Sequence, residues 1–210
     1  MKEKSKKIIL YLIAGIFLFF LSCAIIFYFQ FKLYIGLLWI CYTAITIIII
    51  GIILKKPSLI LSQVIILTFF DLFWIVDFFY MLITGHSFLG ITNYFFDNNF
   101  LLKKILTLQH IFTIPLSVIA LSLIKVKKNN KIILISFAEI IFFYLLSFLL
   151  PPEYGINCLP ISTFCTSFIF PKFIPYPLIW FVLLSSFSLI SYYVLTSLPF
   201  LKDNESSKSI

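Results

Sequence analysis

The stretch IILYLIAGIFLFFLSCAIIFYF, residues 8–29, decides the fold class, because its 22 residues include no charged side chain. A transmembrane helix needs about 20 mainly apolar residues. The stretch also exceeds the roughly 7–15 apolar residues at the centre of a signal peptide, so it predicts a span that is retained rather than cleaved. These residues place the chain in a lipid bilayer.

Five further apolar runs follow, at residues 33–54, 59–84, 105–124, 132–150 and 174–198. They lack the polar and apolar alternation of membrane barrel strands. Of the 210 residues, 62% are hydrophobic and 11% are charged, whereas soluble domains carry about 25% charged residues. We therefore predict an all-α polytopic bundle of six transmembrane helices. It forms a single domain over residues 8–201, between an N-terminal segment, 1–7, and a polar tail, 202–210.

The lysines predict how this bundle is oriented. The net charge of +8 comes from Lys alone, since the chain has no Arg. Six crossings put twelve lysines on one side: Lys2, Lys4, Lys6, Lys7, Lys55, Lys56, Lys125, Lys127, Lys128, Lys131, Lys202 and Lys208. The other side has four: Lys32, Lys103, Lys104 and Lys172. The side richer in Lys faces the cytoplasm. We expect both termini to be cytoplasmic in the inner (cytoplasmic) membrane, and loops 85–104 and 151–173 to be extracytoplasmic.

The same charges indicate which partners the chain has. Because they lie between apolar runs and not on one soluble face, they predict the lipid bilayer as partner and no nucleic acid. The sequence has no phosphate-binding glycine loop, H-E-x-x-H or C-x-x-C motif, and it leaves cofactor, metal and oligomeric state open. Cys23 and Cys41 lie inside apolar runs and are typical of small apolar fillers. Cys158 and Cys165 share an outer loop, and whether they form a disulfide is left open.

Four ionisable residues interrupt the apolar runs: Asp71, Asp77, His110 and Glu139. Each costs about 2.5–3.5 kcal/mol within a membrane on insertion scales. Counting about 1.5 Å per residue from the outer ends of the spans puts Asp77 and His110 at the same depth of about 10 Å. Asp71 and Glu139 are both deeper, at about 17–19 Å. Depth therefore predicts two pairs, Asp77 with His110 and Asp71 with Glu139.

These residues predict a polar site in the outer half of the bilayer. Asp71, Trp74 and Asp77 recur every third residue, so they cover an arc of about 120° on the third span. A carboxylate beside His110 would fix the imidazole tautomer, and such a pair can be a general base, a proton relay or a metal ligand set. Asp71, Asp77 and His110 are the candidate catalytic residues. The alternative is that they pair only to hold the helices together.

Supporting residues surround this predicted site. Trp74 lies between the two aspartates, and Glu139 lies beneath them. Pro151 and Pro152 end the fifth span, so Glu153 and Asn157 follow just above the site, as part of its rim.

Several segments resemble a family of small multi-pass bacterial membrane proteins without an assigned activity. The resemblance rests on W-I-V-D-F at 74–78, Y-F-F-D at 94–97, His110 with Pro115, and the stretch 151–157. It covers about residues 70–160. The chain departs from the family in having one proline near His110 where two are usual, Lys103-Lys104 where Arg is usual, and Cys158 where Trp is usual. The resemblance implies the positions of a site and not its chemistry. A second similarity, to membrane hydrolases of the androgen-induced type, implies an intramembrane catalytic His.

Three functions from different classes fit these patterns. The first is an enzyme that acts on a lipid substrate, with His110 as the base and Asp77 orienting it. The second is a small proton-coupled transporter or permease, with Asp71 and Glu139 as a relay. The third is a structural or assembly partner in a membrane complex.

Overall fold

The computed structural model describes residues 2–97, 101–127, 129–151 and 176–202. These residues form eight α-helices: α1 (Glu3–Gln30), α2 (Ile40–Ile53), α3 (Pro57–Thr84), α4 (Asn93–Asp97), α5 (Leu101–Thr107), α6 (Gln109–Ile124), α7 (Asn130–Leu149) and α8 (Tyr176–Ser197). Two 3-10 helices, Tyr34–Leu38 and Pro199–Leu201, complete them, and one isolated bridge joins Val126 to Lys202. The prediction of an all-α protein is confirmed for the described residues.

Five helical segments of the described chain are long and apolar enough to cross a membrane: Glu3–Gln30, Pro57–Thr84, Leu101–Ile124, Asn130–Leu149 and Pro177–Ser197. They have the character expected of a multi-pass membrane protein. The predicted second span differs, because its helical core α2 has 14 residues and follows a separate 3-10 helix. The two are joined at Trp39, whose backbone is extended.

Local sequence signals explain several helix ends. Pro57 opens α3, where its missing N–H removes no helical hydrogen bond. Gly85 closes α3 in the left-handed region, with φ 75°, and donates its N–H to the carbonyl of Met81. The side chain of Asn129 accepts the N–H of Lys131 and so caps α7. That helix ends just before Pro151, as the sequence predicted.

Two helices begin earlier than the apolar runs that predicted the first and fourth spans. The first helix begins at Glu3 rather than at residue 8, so the lysines of the N-terminal segment continue the helix beyond its apolar part. The fourth span begins at Leu101 rather than at residue 105, because Lys103 and Lys104 lie inside α5 and do not precede it. Both differences have one cause. A helix is held by backbone hydrogen bonds, so it can extend past the apolar run that defines the span.

Two clusters of buried side chains form the core, one towards each end of the bundle. The first joins the start of α1, the end of α2, the start of α3, the end of α6, the start of α7 and the end of α8. The second joins the end of α1, the start of α2, the middle of α3, α5, the second half of α7 and the first half of α8. Successive helices α1, α2, α3, α6, α7 and α8 contribute to the first cluster with alternate ends.

Lysines concentrate at the end of the bundle that holds the first cluster. The ion pair between Lys55 and Glu3, 3.7 Å long, joins the end of α2 to the start of α1. The Nζ of Lys125 donates to the carbonyl of Phe200, 2.9 Å away, which joins the end of α6 to the segment after α8. Of the twelve lysines predicted on this side, ten lie in the described residues and cluster at these helix ends; Lys128 and Lys208 lie outside them.

Candidate functional site

Asp71 and His110 face each other between α3 and α6. His110 Nδ1 lies 2.8 Å from Asp71 Oδ1, and the Asp71 side chain is 1% exposed while that of His110 is 16% exposed. A carboxylate bound at Nδ1 sets the tautomer in which Nε2 is free to accept a proton. Within the described residues, the hydrogen bond of the His110 ring is made by Nδ1, and Nε2 makes none. The pair has the arrangement of a general base and the group that orients it.

The chain breaks its helix immediately before this histidine. Leu108 separates α5 from α6, and its N–H is shared between the carbonyls of Lys104 and Ile105, each 3.2 Å away. Pro115 lies inside α6, where it removes a backbone N–H from the helix five residues after His110. His110 therefore lies between two irregularities in the same pass.

The predicted pairs are wrong, because Asp77 does not contact His110. Both carboxylate oxygens of Asp77 accept from Ser87 Oγ at 2.8 Å. Oδ1 also accepts the Leu89 N–H at 2.6 Å, and Oδ2 accepts both the N–H and the hydroxyl of Thr92 at 2.8 Å. Asp77 is fully buried by these contacts. Through these hydrogen bonds, Asp77 holds the segment after α3 against the helix, and it does not contact His110.

Glu139 is likewise not paired with Asp71. Its Oε2 accepts the side-chain N–H of Gln63 at 2.7 Å, and Gln63 lies on α3 eight residues before Asp71. That separation corresponds to about 12 Å along the helix. The bundle therefore contains two distinct polar clusters instead of one site with Glu139 at its base.

Trp74 extends the site towards α4. Its ring stacks on Phe78 with centroids 4.9 Å apart and lies 5.2 Å from the ring of His110. Its Nε1 donates to the hydroxyl of Tyr94 at 2.9 Å. Burial raises the pKa of Tyr94, which lies outside the long apolar helices, so its phenol stays neutral. The hydrogen bond between Trp74 and Tyr94 connects α4 to the site.

Several buried polar atoms of Asp71 and of Gln109, which precedes His110 in the sequence, make no hydrogen bond within the described part of the chain. They are Oδ2 of Asp71 and both side-chain amide atoms of Gln109, which is 1% exposed. Cys41, also buried, lies beside Gln109 and within electrostatic range of Asp71. Buried polar groups are normally satisfied, so this group of atoms marks a place suited to a polar ligand or water.

Three residues of the polar clusters were not predicted from the sequence: Gln109, Gln63 and Cys41. The two amides could have been found, because a glutamine within an apolar helix needs hydrogen-bond partners just as a charged residue does. Cys41 gave no such signal, since a buried thiol is usual in apolar surroundings. Its place in the site depends on how α2 packs against α3 and α6, which the sequence pattern does not specify.

The rim of the site was predicted in the second outer loop. Glu153, Asn157, Cys158 and Cys165 all lie outside the described residues. The assignment of Glu153 and Asn157 to the rim stays a prediction, and a disulfide between Cys158 and Cys165 stays an open question.

An apolar groove lies on the outer surface between α1 and α6. It encloses about 630 Å³ and is lined mainly by aliphatic and aromatic side chains, including Phe19, Phe112 and Leu116. Phe112 and Leu116 are two and six residues after His110, about 200° and 240° around the helix. The groove therefore opens on the other side of α6 from the Asp71–His110 pair and is not part of that site.

Within the described residues, no group of three or more His, Cys, Asp or Glu side chains is placed to hold a metal ion. Comparisons with family models, with curated proteins and with solved structures found no match. The resemblance inferred from the sequence motifs therefore stays a prediction, and the function rests on the geometry of the site.

Proposed function

We propose that this protein crosses the cytoplasmic membrane six times with both termini inside. Ten described lysines cluster at one end of the bundle, and the opposite end has three, Lys32, Lys103 and Lys104. This asymmetry supports the orientation, because lysine-rich ends stay in the cytoplasm. The second pass is short, but α2 contributes about 21 Å. The 3-10 helix Tyr34–Leu38 adds about 10 Å, which brings the pass to the thickness of the hydrocarbon core, about 30 Å.

Within this arrangement, the Asp71–His110 pair forms the active site of an enzyme that acts on a membrane lipid. The observation that carries this proposal is the 2.8 Å contact between a buried carboxylate and a partly exposed imidazole. His110 Nε2 takes a proton from water or from a lipid hydroxyl, and Asp71 stabilises the imidazolium that forms. Asp71 here has the orienting role that the sequence had assigned to Asp77.

The unsatisfied atoms beside the pair support a polar group of the substrate at that place. Gln109 can both donate and accept, so it suits the carbonyl or hydroxyl of a lipid head group or ester. The site lies among apolar helices in the outer half of the proposed membrane, where molecules with acyl chains are concentrated. A lipid therefore reaches His110 without leaving the bilayer.

The test compares lipid extracts from cells that express the wild type or a variant. Expression of the wild type should change the abundance of at least one lipid species, measured by mass spectrometry. His110→Ala and Asp71→Asn should reduce that change by about 10²-fold or more, because both remove general-base catalysis. His86→Ala is the matched control, since His86 is exposed and makes no contact with the pair.

Equal accumulation of all four proteins in the membrane, checked by immunoblot, is required for the comparison. A lipid change that persists in His110→Ala would contradict the proposal. A wild type that changes no lipid would also contradict it and would favour the transporter or assembly hypotheses. These two differ in turn, because only the transporter hypothesis predicts uptake that depends on a proton gradient.

A further inference from the structure

The apolar groove between α1 and α6 is built around a glycine. Its α1 wall runs from Tyr11 to Phe20, and Phe112 and Leu116 line the side formed by α6. Gly15 lies within the α1 wall, and a Cβ built there would have no atom within 4 Å. The other side chains that line the groove are all aliphatic or aromatic. The glycine therefore leaves open space in the middle of an apolar wall.

The groove is as long as one half of a bilayer. Tyr11 and Phe20 are nine residues apart, which is about 14 Å along α1, and half of the hydrocarbon core is about 15 Å thick. The inner end of the groove is closed where the rings of Phe20 and Phe112 stack 5.9 Å apart. Phe112 is at the middle of the apolar helical segment Leu101–Ile124. The groove therefore runs from the middle of the bundle towards the lysine-rich end alone.

Two lysines lie at the open end of the groove. Lys7 Nζ lies 5.6 Å from the centre of the Tyr11 ring, so its charge is held over the first side chain of the groove. Lys4 precedes Gly15 by eleven residues, which is three turns and about 20° around the helix, so it lies on the same face of α1. Both lysines are exposed, and neither forms an ion pair with a carboxylate in the described part of the chain.

An apolar groove that ends at two ammonium groups matches an anionic phospholipid. The apolar wall suits an acyl chain, and its length suits the chain of a lipid from one leaflet. The volume of about 630 Å³ lies within the range of small-molecule sites, about 300–1,000 Å³. Each lysine near the membrane surface favours an anionic head group by about fivefold. A helix from a second copy of the chain would span the whole membrane, so a groove that ends halfway matches it less well.

We propose that the groove holds one acyl chain of an anionic phospholipid, whose phosphate group binds Lys4 and Lys7. The acyl chain extends from the membrane surface past Gly15 to the closed inner end. With the orientation proposed above, this lipid belongs to the cytoplasmic leaflet. It is distinct from the proposed substrate, because the groove lies on the other side of α6 from the Asp71–His110 pair. The bound lipid contacts both α1 and α6, so it stabilises the folded protein.

The test uses the full-length protein purified in detergent, to which dioleoylphosphatidylglycerol or dioleoylphosphatidylcholine is added. The two lipids have the same acyl chains, but the first is anionic and the second is zwitterionic. Phosphatidylglycerol should raise the melting temperature of the wild type on the order of 5 °C at saturation, and phosphatidylcholine should raise it less. The difference between the two lipids measures recognition of the head group.

Gly15→Leu tests the groove itself. The new side chain fills the space that the acyl chain needs, so the rise caused by phosphatidylglycerol should fall to the level of phosphatidylcholine or below it. Ser22→Leu is the matched control, because Ser22 is exposed on α1 beyond the inner end of the groove. This control should keep the full rise.

Lys4→Gln combined with Lys7→Gln tests the contact with the phosphate group. The double variant should need at least about tenfold more phosphatidylglycerol for half of the rise, because two fivefold contributions are lost. The matched control combines Lys56→Gln with Lys131→Gln. It removes two exposed charges from the same end of the bundle but not from α1, so it should respond as the wild type does.

The proposal is overturned if the two lipids raise the wild-type melting temperature equally, or if Gly15→Leu responds as the wild type does. An equal loss in the two double lysine variants would also overturn it, since the lipid would then be attracted to the whole end of the bundle. A wild-type dimer in detergent that Gly15→Leu dissociates would assign the groove to a second copy and overturn the proposal. None of these outcomes depends on lipid turnover, so this proposal and the proposed function can fail separately.

Discussion

Asp71 and Asp77 are six residues apart on α3, and their surroundings give them different roles. Asp77 accepts from Ser87, Leu89 and Thr92, and all of these donors come from the segment that follows the helix. Asp71 has one hydrogen-bonded partner, His110, and one oxygen that is buried without a partner in the described chain. A carboxylate whose oxygens are both satisfied holds structure, while one with a free oxygen beside an imidazole is available for chemistry.

We expect Asp77→Asn to destabilise the protein more than Asp71→Asn does. The amide of Asn offers one acceptor oxygen, so the N–H groups of Leu89 and Thr92 cannot both be satisfied. Leaving one of them buried and unpaired costs about 1–3 kcal/mol. For a chain of this length, the melting temperature in detergent should fall by roughly 2–10 °C.

The two substitutions should also have opposite effects on lipid turnover. Asp77→Asn should retain turnover at temperatures where it is folded, whereas Asp71→Asn should lose it and remain folded. Loss of turnover in Asp77→Asn at full stability would show that the roles assigned to the two residues are reversed.

The sequence identified the residues of the site but not their pairing. Counting along a helix gives depth and says nothing of where a side chain points around the axis. Asp71 and Asp77 differ by about 120° around α3. This difference directs one towards α6 and the other towards the segment after the helix. The site was predicted from ionisable residues alone, so the prediction left out Gln63 and Gln109, which lie in the two polar clusters.

At the scale of the helices, Gly51 sets the distance between α2 and α3. A Cβ there would lie 2.7 Å from Ile60 Cγ1, 3.2 Å from Leu59 Cβ and 3.3 Å from the backbone nitrogen of Ile60. These distances are too short for a methyl group, so the two helices would have to separate. Gly15 on α1 has no atom within 4 Å of the corresponding position.

The two glycines therefore form a matched pair of substitutions. Gly51→Ala should lower stability by about 1–3 kcal/mol, because overpacking displaces α2 from α3. Gly15→Ala should leave stability unchanged or raise it by up to about 1 kcal/mol, since Ala favours the helix more than Gly does. Thermal unfolding in detergent measures both changes. Equal effects of the two substitutions would refute the close packing of α2 on α3.

The short helix α4 is held to α3 through Tyr94 and Trp74. Tyr94→Phe keeps the ring and removes the acceptor of the Trp74 N–H, which costs about 1–3 kcal/mol if that group stays buried. We expect lower thermal stability and a shift in tryptophan fluorescence. Tyr80→Phe is the control, because Tyr80 is exposed on α3, the helix that carries Trp74. This substitution should change neither the thermal stability nor the fluorescence.

Helix ends were predictable where a specific residue sets them and not elsewhere. Pro57, Gly85 and Pro151 each restrict the backbone in a way that a sequence reveals. The interruption at Trp39 has no such residue. There, Gly36 packs so closely against the ring of Tyr28 that no Cβ would fit, and this contact forms only once α1 and the second pass are together.

At the scale of the whole molecule, hydrophobicity predicted the five described helices that are long and apolar enough to cross a membrane, while six passes stay a proposal. The structure adds that the two ends of the bundle have separate cores. It also places the two polar clusters at different levels along α3, with Gln63 nearer the lysine-rich end and Asp71 nearer the other. In the proposed function, the end that faces out of the cell determines the leaflet from which a lipid would reach His110.

The proposed function depends most directly on that orientation, and cysteine labelling measures it. In a variant without native cysteines, single cysteines replace His86, at the end of α3, and Lys127, beyond the end of α6; both positions are exposed. Intact cells are treated with a maleimide that does not cross membranes. We predict that the cysteine at position 86 is labelled at once and the cysteine at position 127 only after the cells are opened. Labelling of position 127 in intact cells, with position 86 protected, would contradict the account.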